Sequence, residues 1–384
     1  MDGHGGLILD HTANSPGYLE NKTMCNELSK LSRCYIIPPI ILEHISQKGN
    51  DKQKAMAYEA LNVSAQVRGQ REVLTTFAAL ATTPTGTKRR TIYDAQHGLT
   101  LPGKLVRSEG SKKSKDIAIN EAYDGSGKTY DLYRSQFQRN SIDDRGMRLD
   151  STVHYRRNFN NAFWNGQQMV YGDGDGDIFE HFTKSLDVIG HELTHGVTQY
   201  EAGLVYQDQP GALNEHFSDV FGSLVKQYSR KQTAKQADWL IGEGLFTKDI
   251  QGIALRSMKA PGTAYNDPLI GKDPQPGHMK HYVKTTADNG GVHINSGIPN
   301  KAFYELAIAM GGNSWEKAGR IWYRTLCDKI QPLTKFAECA AMTFEVAGTL
   351  FGQGSTEQKA VRAAWTAVGV TFTATALAAG AGGR

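Results

Sequence analysis

Cysteine, long apolar runs and clusters of one charge are all scarce in this chain. Its 384 residues include four cysteines, too few for a disulfide scaffold at this length. The formal net charge of +4 is small and the basic residues are scattered, so we expect no nucleic-acid partner. The most apolar stretch near the front, CYIIPPIIL, is too short to cross a bilayer and is interrupted by two prolines. We therefore expect no membrane span.

The first residues, MDGHGGLILDH, carry a short apolar run with no basic segment before it. Because a secretory signal needs a basic segment and a longer apolar core, we expect the precursor in the cytoplasm, with any release from the cell by a non-standard route. Hydrophobic residues make up 39% and charged residues 21% of the chain, which is typical of a soluble globular enzyme. Whether Cys327 and Cys339, on two predicted neighbouring helices, form a disulfide is left open.

The chain divides into a region with β-strand patterns followed by a region with helical patterns. Between about residues 90 and 180, short β-type segments (TIYDAQH, STVHYRR and GQQMVYG) alternate with Gly- and Asp-rich turns. From about residue 186 helical periodicity dominates, and later amphipathic helices are predicted at about 298–311, 314–329, 335–351 and 355–367. A β-rich N-terminal lobe followed by an α-helical C-terminal lobe is an α+β arrangement.

The junction of the two lobes carries the motif GHELTHG at residues 190–196. Residues four apart on a helix differ by about 40° in azimuth, so His191 and His195 project from one face and can bind one metal ion. Glu192 lies about 100° from His191, beside the ion, where a general base for a zinc-activated water belongs. The alternative is a pair of surface histidines on a polar helix.

The next predicted helix supplies the other groups that a catalytic zinc site needs. Such a site normally has three protein ligands and keeps one position for water. In GALNEHFSD, Glu215 is placed to be the third ligand. Asp219, one turn later on the same face, can accept a ring N–H from a ligand histidine and so fix its tautomer. Read alone, this acidic pair near a helix start would be a cap that compensates the helix dipole.

These motifs resemble those of the thermolysin-type zinc metalloendopeptidases, and within them the short protealysin-like branch. The resemblance runs from RRTIYDAQHG (89–98) to AWTAVGV (364–370) and includes NNAFWNGQQMVYGDGDG (160–176) and DNGGVHINSG (288–297). It implies the two-lobed thermolysin-like fold with the zinc helix between the lobes. It also implies a neutral endopeptidase with one catalytic Zn²⁺ and with protein and peptide substrates, and we expect a monomer.

The resemblance assigns a second group of residues to the chemistry. His293, in GGVHINSG, matches the histidine that donates to the tetrahedral oxyanion. Asp288 matches the carboxylate that orients this histidine, and Tyr206 the tyrosine that shares its role. Glycines on either side of the loop would let its backbone bring His293 close to a substrate.

Substrate-binding residues follow from the same resemblance. Asn161 and Ala162 match the edge that binds the substrate backbone, with Trp164 beside them, and Arg256 matches the arginine that binds a substrate carbonyl. The resemblance also implies an apolar P1′ pocket, and therefore a preference for hydrophobic P1′ residues. The residues that would form its walls are Phe179, Phe182, Val188 and Leu255.

Many relatives bind a pair of calcium ions near the zinc helix, and this chain keeps that pattern only in part. Asp187, Asp238 and Glu243 match ligands of the site, but Lys226 and Leu240 stand at two other ligand positions. Because the ammonium group of a lysine would supply the positive charge of one ion, we expect at most one Ca²⁺ there.

The front segment CYIIPPIILEHI resembles the Pro-Pro-x-x-Leu element of the short propeptides in the protealysin-like branch, with Pro38, Pro39 and Leu42 at its fixed positions. This implies a prosegment laid into or near the cleft as an intramolecular inhibitor and removed on activation. Two prolines would hold it extended at low entropic cost, and the flanking isoleucines could fill apolar subsites. The alternative is an arm docked elsewhere on the surface. Zinc ligation by the thiolate of Cys34 is a further hypothesis.

The chain accordingly divides into four parts. The prosegment covers residues 1–50, with its end somewhere between about 45 and 90, and the polar stretch SQKGNDKQKA is typical of an exposed linker. The β-rich lobe, 51–196, ends in the zinc-binding helix, and the helical lobe covers 197–370. A flexible tail is expected over 371–384.

Two other function classes stay open at this point. A zinc aminopeptidase of the related type would carry a G-x-M-E-N motif that anchors the substrate amino terminus, and the sequence has none. A non-catalytic zinc protein acting through its prosegment would need neither Glu192, Tyr206 nor His293. The sequence therefore favours a zinc endopeptidase made as a zymogen.

Overall fold

A five-stranded sheet forms the frame of the N-terminal lobe. The computed structural model describes residues 35–63 and 86–373. The sheet has the order β2-β1-β3-β5-β4, with the three inner strands parallel and both edge strands antiparallel to their neighbours. Its strands are β1 (Arg90–Asp94), β2 (Lys104–Ser108), β3 (Leu149–Val153), β4 (Ala162–Trp164) and β5 (Met169–Tyr171).

Two helices precede the sheet, where the sequence predicts an extended segment and a linker. Helix α1 spans Pro39–Lys48 and helix α2 spans residues 51–63, the end of the first described range. Proline is tolerated at the start of α1 because its missing N–H would have no helical partner there. The expectation that Pro38–Leu42 is extended is therefore wrong beyond Pro38, whose φ is -58° and ψ 137°.

The stretch SQKGNDKQKA is largely exposed, as expected, but it is helical and not a linker. It forms the end of α1, a break at Gly49 and the start of α2. The hydroxyl of Tyr35 donates to the carbonyl oxygen of Val63 at 3.1 Å, so the two ends of residues 35–63, called the front segment from here on, contact each other. Residues 51–63 thus belong structurally with α1, inside the range of about 45 to 90 expected for the end of the prosegment.

Helix α3 (Ile117–Phe137) was not predicted, because it lies in the region with β-type segments. Its centre reads GSG, and each glycine lowers helix propensity by about 1 kcal/mol relative to alanine. A Cβ atom at Gly125 would overlap the side chain of Ile189, on the helix that carries His191. Close packing of the two helices therefore compensates for the poor propensity of the sequence.

The zinc-type motif and the acidic pair lie on two adjacent helices. Helix α4 (Leu186–Glu201) carries His191 and His195, and helix α5 (Asp208–Arg230) carries Glu215 and Asp219. A Cβ atom at Gly222 of α5 would overlap the carbonyl oxygen of Asp187 in α4. Only a residue without a side chain permits this approach, and it brings the polar groups of the two helices together.

The remaining helices of the described chain complete the C-terminal lobe and confirm the predicted helical pattern. They are α6 (Asp288–Asn295), α7 (Gly297–Met310), α8 (Ala318–Asp328), α9 (Phe336–Phe351) and α10 (Thr356–Ala367). Two short strand pairs join α5 to α6, namely β6 (Leu240–Ile241) with β7 (Arg256–Ser257), and β8 (Asn266–Asp267) with β9 (Gly271–Lys272). The predicted α+β fold, with a helical C-terminal lobe, is confirmed.

Several smaller expectations are decided by the same structure. Cys327 and Cys339 are both free, so they form no disulfide. Within residues 35–63 and 86–373, no helix is both long and apolar enough to cross a membrane. Cys34, and the part of the expected tail beyond residue 373, lie outside the described residues.

Candidate active site

Three side chains from α4 and α5 converge on one point in the interior. The Nε2 atoms of His191 and His195 lie 2.9 Å apart. A carboxylate oxygen of Glu215 lies 3.5 Å from Nε2 of His191, and the other lies 3.4 Å from Nε2 of His195. All three side chains are fully buried. In the described part of the chain, they form the group of histidine, cysteine and acidic side chains close enough to hold a metal ion.

The hydrogen bonds around the two histidines leave both Nε2 atoms as electron-pair donors. Nδ1 of His191 lies 2.8 Å from Oδ1 of Asp219, and Nδ1 of His195 lies 2.8 Å from Oδ1 of Asn214. Both oxygens can only accept, so each Nδ1 carries the proton and donates. Two lone pairs and one carboxylate then face the same point with no proton between them. This is the ligand set of a tetrahedral Zn²⁺ with one open position.

Asp219 connects the metal ligands to the rest of the site. It accepts from Nδ1 of His191, from Nε and Nη2 of Arg256 at 2.9 and 2.8 Å, and from Nδ2 of Asn300 at 2.9 Å. Burial alone would raise the pKa of Asp219, but the charge of Arg256 and these hydrogen bonds hold it far below its usual range. The carboxylate is therefore ionised and fixes the ring of His191.

Beyond Asp219, a buried chain of hydrogen bonds joins three residues that were not predicted from the sequence, namely Asn300, His216 and Trp322. Oδ1 of Asn300 accepts from Nδ1 of His216 at 2.8 Å, and Nε1 of Trp322 donates to Nε2 of His216 at 2.7 Å. Burial lowers the pKa of His216 to about 4, so its ring is neutral and can donate and accept at once. No spacing signal in the sequence joins Asn300 to Asp219, since they are 81 positions apart.

Glu192 is held by the free edge of strand β4. Its side chain is fully buried, and its Oε2 accepts from the backbone N–H of Trp164 at 2.9 Å. The Trp164 ring is buried as well, and a Cβ atom at Gly196 of α4 would lie 3.2 Å from it. Trp164 is expected from the sequence to bind substrate. In the structure its ring packs in the core and its backbone orients the carboxylate of Glu192.

His293, Asp288 and Tyr206 lie together on the other side of the metal ligands. Nδ1 of His293 lies 2.6 Å from Oδ1 of Asp288, and the hydroxyl of Tyr206 lies 3.2 Å from Nε2 of His293 and also donates to Glu215. Burial alone would lower the pKa of His293, but the charges of Asp288 and Glu215 raise it to about 9. At neutral pH, Nε2 of His293 is therefore an N–H donor.

The edge that the sequence assigns to substrate backbone binds the front segment of this chain. The N–H of Ile36 donates to the carbonyl oxygen of Ala162 at 3.4 Å. The N–H of Ile37 donates to Oδ1 of Asn161 at 3.2 Å. Both isoleucine side chains are buried.

Two further donors bind the carbonyl groups of the same segment. Nη1 of Arg256 donates to the carbonyl oxygen of Ile36 at 3.2 Å, and Nε2 of His293 donates to that of Tyr35 at 3.0 Å. The Tyr35 ring packs 5.2 Å from the ring of Phe163, measured between centroids. The front segment therefore lies in the cleft, next to the metal ligands.

Comparison with known proteins gives the family. The model of the thermolysin metallopeptidase catalytic domain matches residues 61–199, and that of the thermolysin metallopeptidase alpha-helical domain matches residues 202–370. The chain belongs to the thermolysin family of metallopeptidases. It is 53% identical over 345 residues to an extracellular metalloprotease of Pectobacterium carotovorum subsp. carotovorum, covering 88% of this chain and 96% of that protein.

Other relatives agree with this assignment. The chain is 48% identical over 342 residues to the protease PrtS of a Photorhabdus species, covering 87% of this chain and 91% of the relative. It is 44% identical over 291 residues to a thermolysin of Alicyclobacillus acidocaldarius, covering 72% of this chain and 50% of that protein. The solved precursor of protealysin from Serratia proteamaculans matches with a TM-score of 0.81 and 52% identity, over 88% of this chain and 100% of that one.

This thermolysin-type chain is a neutral zinc-dependent endopeptidase. Zinc is its catalytic cofactor, and proteins are its substrates. The match to a protease precursor fits the prediction of a zymogen. The two other function classes, a zinc aminopeptidase and a non-catalytic zinc protein, are set aside by the family assignment.

The expected apolar wall lies in one buried cluster. Phe179, Phe182, Val188 and Leu255 are each at most 1% exposed and belong to the same core as Ile36 and Ile37. The Phe179 ring lies 5.9 Å from that of Phe182 and 5.6 Å from that of Phe246, between centroids. Phe246 was not predicted from the sequence. The preference for hydrophobic P1′ residues stays a prediction.

The residues at the expected calcium site meet basic side chains. Nζ of Lys226 lies 2.8 Å from Oδ2 of Asp187, 2.8 Å from Oδ1 of Asp238 and 2.7 Å from the carbonyl oxygen of Leu240. Arg230 lies 3.2 Å from Asp238 and 3.6 Å from Glu243. Burial would lower the pKa of Lys226, but the charges of Asp187 and Asp238 raise it. The expectation of at most one calcium ion stays a prediction.

Proposed function

We propose that the chain is the zymogen of this endopeptidase and that its own front segment is the intramolecular inhibitor. The observation that carries the proposal is the set of backbone hydrogen bonds at Tyr35, Ile36 and Ile37. A substrate needs the same donors and acceptors, so it cannot bind while this segment is in place. Residues 35–63 account for the inhibition among the described residues, and their removal activates the enzyme.

The proposed chemistry assigns one task to each polar group of the cleft. Zinc bound by His191, His195 and Glu215 would act as a Lewis acid and make water a nucleophile at neutral pH. Glu192 takes a proton from the attacking water and passes it to the leaving amine, with the N–H of Trp164 holding its carboxylate in position. His293 and Tyr206 donate to the carbonyl oxygen as negative charge develops on it.

Substrate binding follows from the same contacts. Asn161, Ala162 and Arg256 would bind the backbone of a substrate as they bind that of the front segment. The buried apolar residues Phe179, Phe182, Val188 and Leu255 support a preference for hydrophobic P1′ residues. We further propose at most one calcium ion at Asp187, Asp238 and Glu243, since the ammonium group of Lys226 already pairs with two of these carboxylates.

The proposal also includes a monomer, and a precursor made in the cytoplasm and released by a non-standard route. The relative from Pectobacterium carotovorum is named an extracellular metalloprotease, which supports release from the cell. Size-exclusion chromatography with light scattering, and fractionation of expressing cells, test these two points.

Casein digestion tests the central proposal. The purified chain is assayed before and after removal of the front segment, with and without a zinc chelator. We expect little digestion before removal, strong digestion after it, and loss of activity with the chelator that added zinc restores. E192Q should abolish digestion, whereas E305Q, at a residue paired with Lys301 in a half-exposed helical pair, should not. Chelator-resistant digestion, or an active E192Q variant, contradicts the proposal.

A further inference from the structure

The carbonyl group of Tyr35 binds one of the two side chains that are expected to bind the carbonyl of a substrate. Its oxygen accepts from Nε2 of His293 at 3.0 Å. The hydroxyl of Tyr206 lies 3.2 Å from the same nitrogen. These are the two donors that the proposed function assigns to the developing oxyanion. Nε2 of His293 also lies 3.6 Å from Oε1 of the metal ligand Glu215, so the Tyr35 carbonyl is next to the metal-binding group.

The residues after Tyr35 are bound as the leaving-amine side of a substrate. The N–H of Ile36, which belongs to the peptide bond in question, donates to Ala162 at the free edge of β4. Its carbonyl oxygen accepts from Arg256, and the next N–H donates to Asn161. Four backbone groups in succession therefore meet the groups expected to bind a substrate. A segment that blocked the cleft by bulk alone would have no reason to satisfy them in this order.

We propose that the peptide bond between Tyr35 and Ile36 is a processing site that the enzyme hydrolyses in its own chain. This rests on the proposed function, because it uses the same water, zinc and general base. Water adds to the Tyr35 carbonyl carbon and the bond to the Ile36 nitrogen breaks. Glu192 moves one proton from the water to that nitrogen. The second proton of the water then passes to the same nitrogen, so the products are a carboxylate at Tyr35 and an ammonium group at Ile36, and the reaction needs no other reactant.

Hydrolysis at this bond leaves the cleft filled. Residues 36–63 remain covalently continuous with the catalytic part, and two ion pairs also hold them against it, from Nζ of Lys52 to Asp177 at 3.2 Å and from Arg156 to Glu59 at 2.5 Å. The same segment buries apolar side chains against the main core, namely Ile36, Ile37, Ile41, Leu42, Ile45, Ala57, Ala60 and Val63. The cut chain therefore keeps Ile36 in the cleft and remains inhibited until residues 36–63 are released.

Intact-mass measurement and N-terminal sequencing of the full chain test the proposal. The purified zymogen is incubated with zinc and sampled over time. We expect loss of residues 1–35 and a new amino terminus at Ile36, at a rate that dilution does not change. E192Q stays uncut, which excludes a contaminating protease. A cut rate that falls with dilution, or a first new terminus at another residue while this bond stays intact, overturns the proposal.

Two variants of Ile36 separate recognition from folding. I36L keeps an apolar side chain and should be cut at the same bond, whereas I36D places a carboxylate among buried apolar side chains and should lose the cut. The unfolding midpoints of both variants are measured alongside, and the E192Q/I36D double variant reports folding without any cleavage. If I36D is cut at the same bond and rate as the wild type, the substrate register is wrong.

A second assay distinguishes the two proposals. The same zymogen is treated briefly with trypsin, the trypsin is inhibited, and casein digestion is measured. Chelator-sensitive digestion together with an intact bond between Tyr35 and Ile36 in the untreated zymogen overturns the processing site alone. Absence of digestion, with the bond intact, overturns both the processing site and the proposed function.

Discussion

Arg256 and Asp219 form a fully buried ion pair with two hydrogen bonds, 2.9 Å from Nε to Oδ2 and 2.8 Å from Nη2 to Oδ1. Through this pair, one carboxylate orients a zinc ligand and one guanidinium binds a backbone carbonyl in the cleft. Metal binding and peptide binding therefore depend on the same ion pair.

The variant D219N should weaken zinc binding and folding together. It keeps the shape of the side chain but removes the charge, so Arg256 is left buried without its counter-ion. We expect zinc affinity to fall about 10- to 100-fold, and the free energy of unfolding to fall by about 3–5 kcal/mol. Zinc titration and urea unfolding measure the two effects. D328N, in the exposed pair with Arg324, is the control and should change both little. Unchanged zinc affinity in D219N would contradict the assigned role.

Lys226 should make the start of α4 largely independent of calcium, and K226E should reverse this. In the absence of calcium, K226E places a third carboxylate beside Asp187 and Asp238, and we expect a loss of about 3–5 kcal/mol in the free energy of unfolding. Calcium should restore much of that loss, because three carboxylates form a typical Ca²⁺ site. Thermal unfolding with calcium and with a chelator measures this. The exposed Lys235 gives a control, K235E, which should gain no response to calcium.

His154 should stabilise the fold at neutral pH but not at high pH. A hydrogen bond with Asp173 and the charges of Asp173 and Asp116 outweigh burial and raise the pKa of His154 to about 9. The ring of His97 lies 5.7 Å away between centroids. Because the folded pKa lies above the unfolded value of about 6.5, the stabilisation is complete below pH of about 6.5 and is lost as the pH rises through about 9.

The variant H154Q tests this pH dependence. After allowance for solvent screening, we expect H154Q to lose about 1–2 kcal/mol at pH 6 and almost nothing at pH 10. Urea unfolding at both pH values measures the difference. H281Q, at an exposed histidine, is the control. A loss that is equal at the two pH values would mean that the packing of the ring, and not its charge, stabilises the fold.

The ion pair of Glu59 with Arg156 should help to hold the inhibitory segment. E59K replaces attraction by repulsion at a half-exposed site. A change of about 1 kcal/mol would raise the fraction of open zymogen, and its casein digestion, several-fold. The double variant E59K/R156E reverses both charges and should return digestion to the wild-type level. E43K, at an exposed position of α1, is the control. If the double variant digests casein as fast as E59K, the pair does not contribute.

The metal ligands, which were predicted from the residues alone, depend on short-range geometry, whereas His293, Tyr206 and Arg256 were predicted only from the family resemblance. The azimuths of His191 and His195 follow from one helix, and Glu215 lies within one connection of them. The hydrogen bonds of Asn300, His216 and Trp322 could not be predicted in this way. Helix packing brings these side chains together, and no periodicity in the sequence indicates it. Helix α3 was missed for a related reason. Its Gly125 allows close packing against the helix that carries Ile189, although glycine lowers the local helix propensity.

The conformation of the front segment could not be predicted from local sequence either. Two prolines read alone suggest an extended chain, but Pro39 begins a helix because a helix start tolerates proline equally well. The groups at the cleft that receive Tyr35, Ile36 and Ile37 were each named from the sequence for a substrate. Which residues of the front segment meet them depends on how α1 and α2 dock, and that is a property of the whole fold.

The backbone of strand β4 explains how the enzyme can accept substrates with many different sequences. Ala162 and Trp164 are two positions apart, so their backbone groups point to the same side of the strand. One accepts from the peptide in the cleft, and the other holds Glu192. Strand β4 therefore fixes a spacing of about 7 Å between the group that binds the main chain in the cleft and the group that holds the Glu192 carboxylate. Only backbone groups set this spacing, so the distance from Glu192 to the scissile bond is the same for every side chain that the pockets admit.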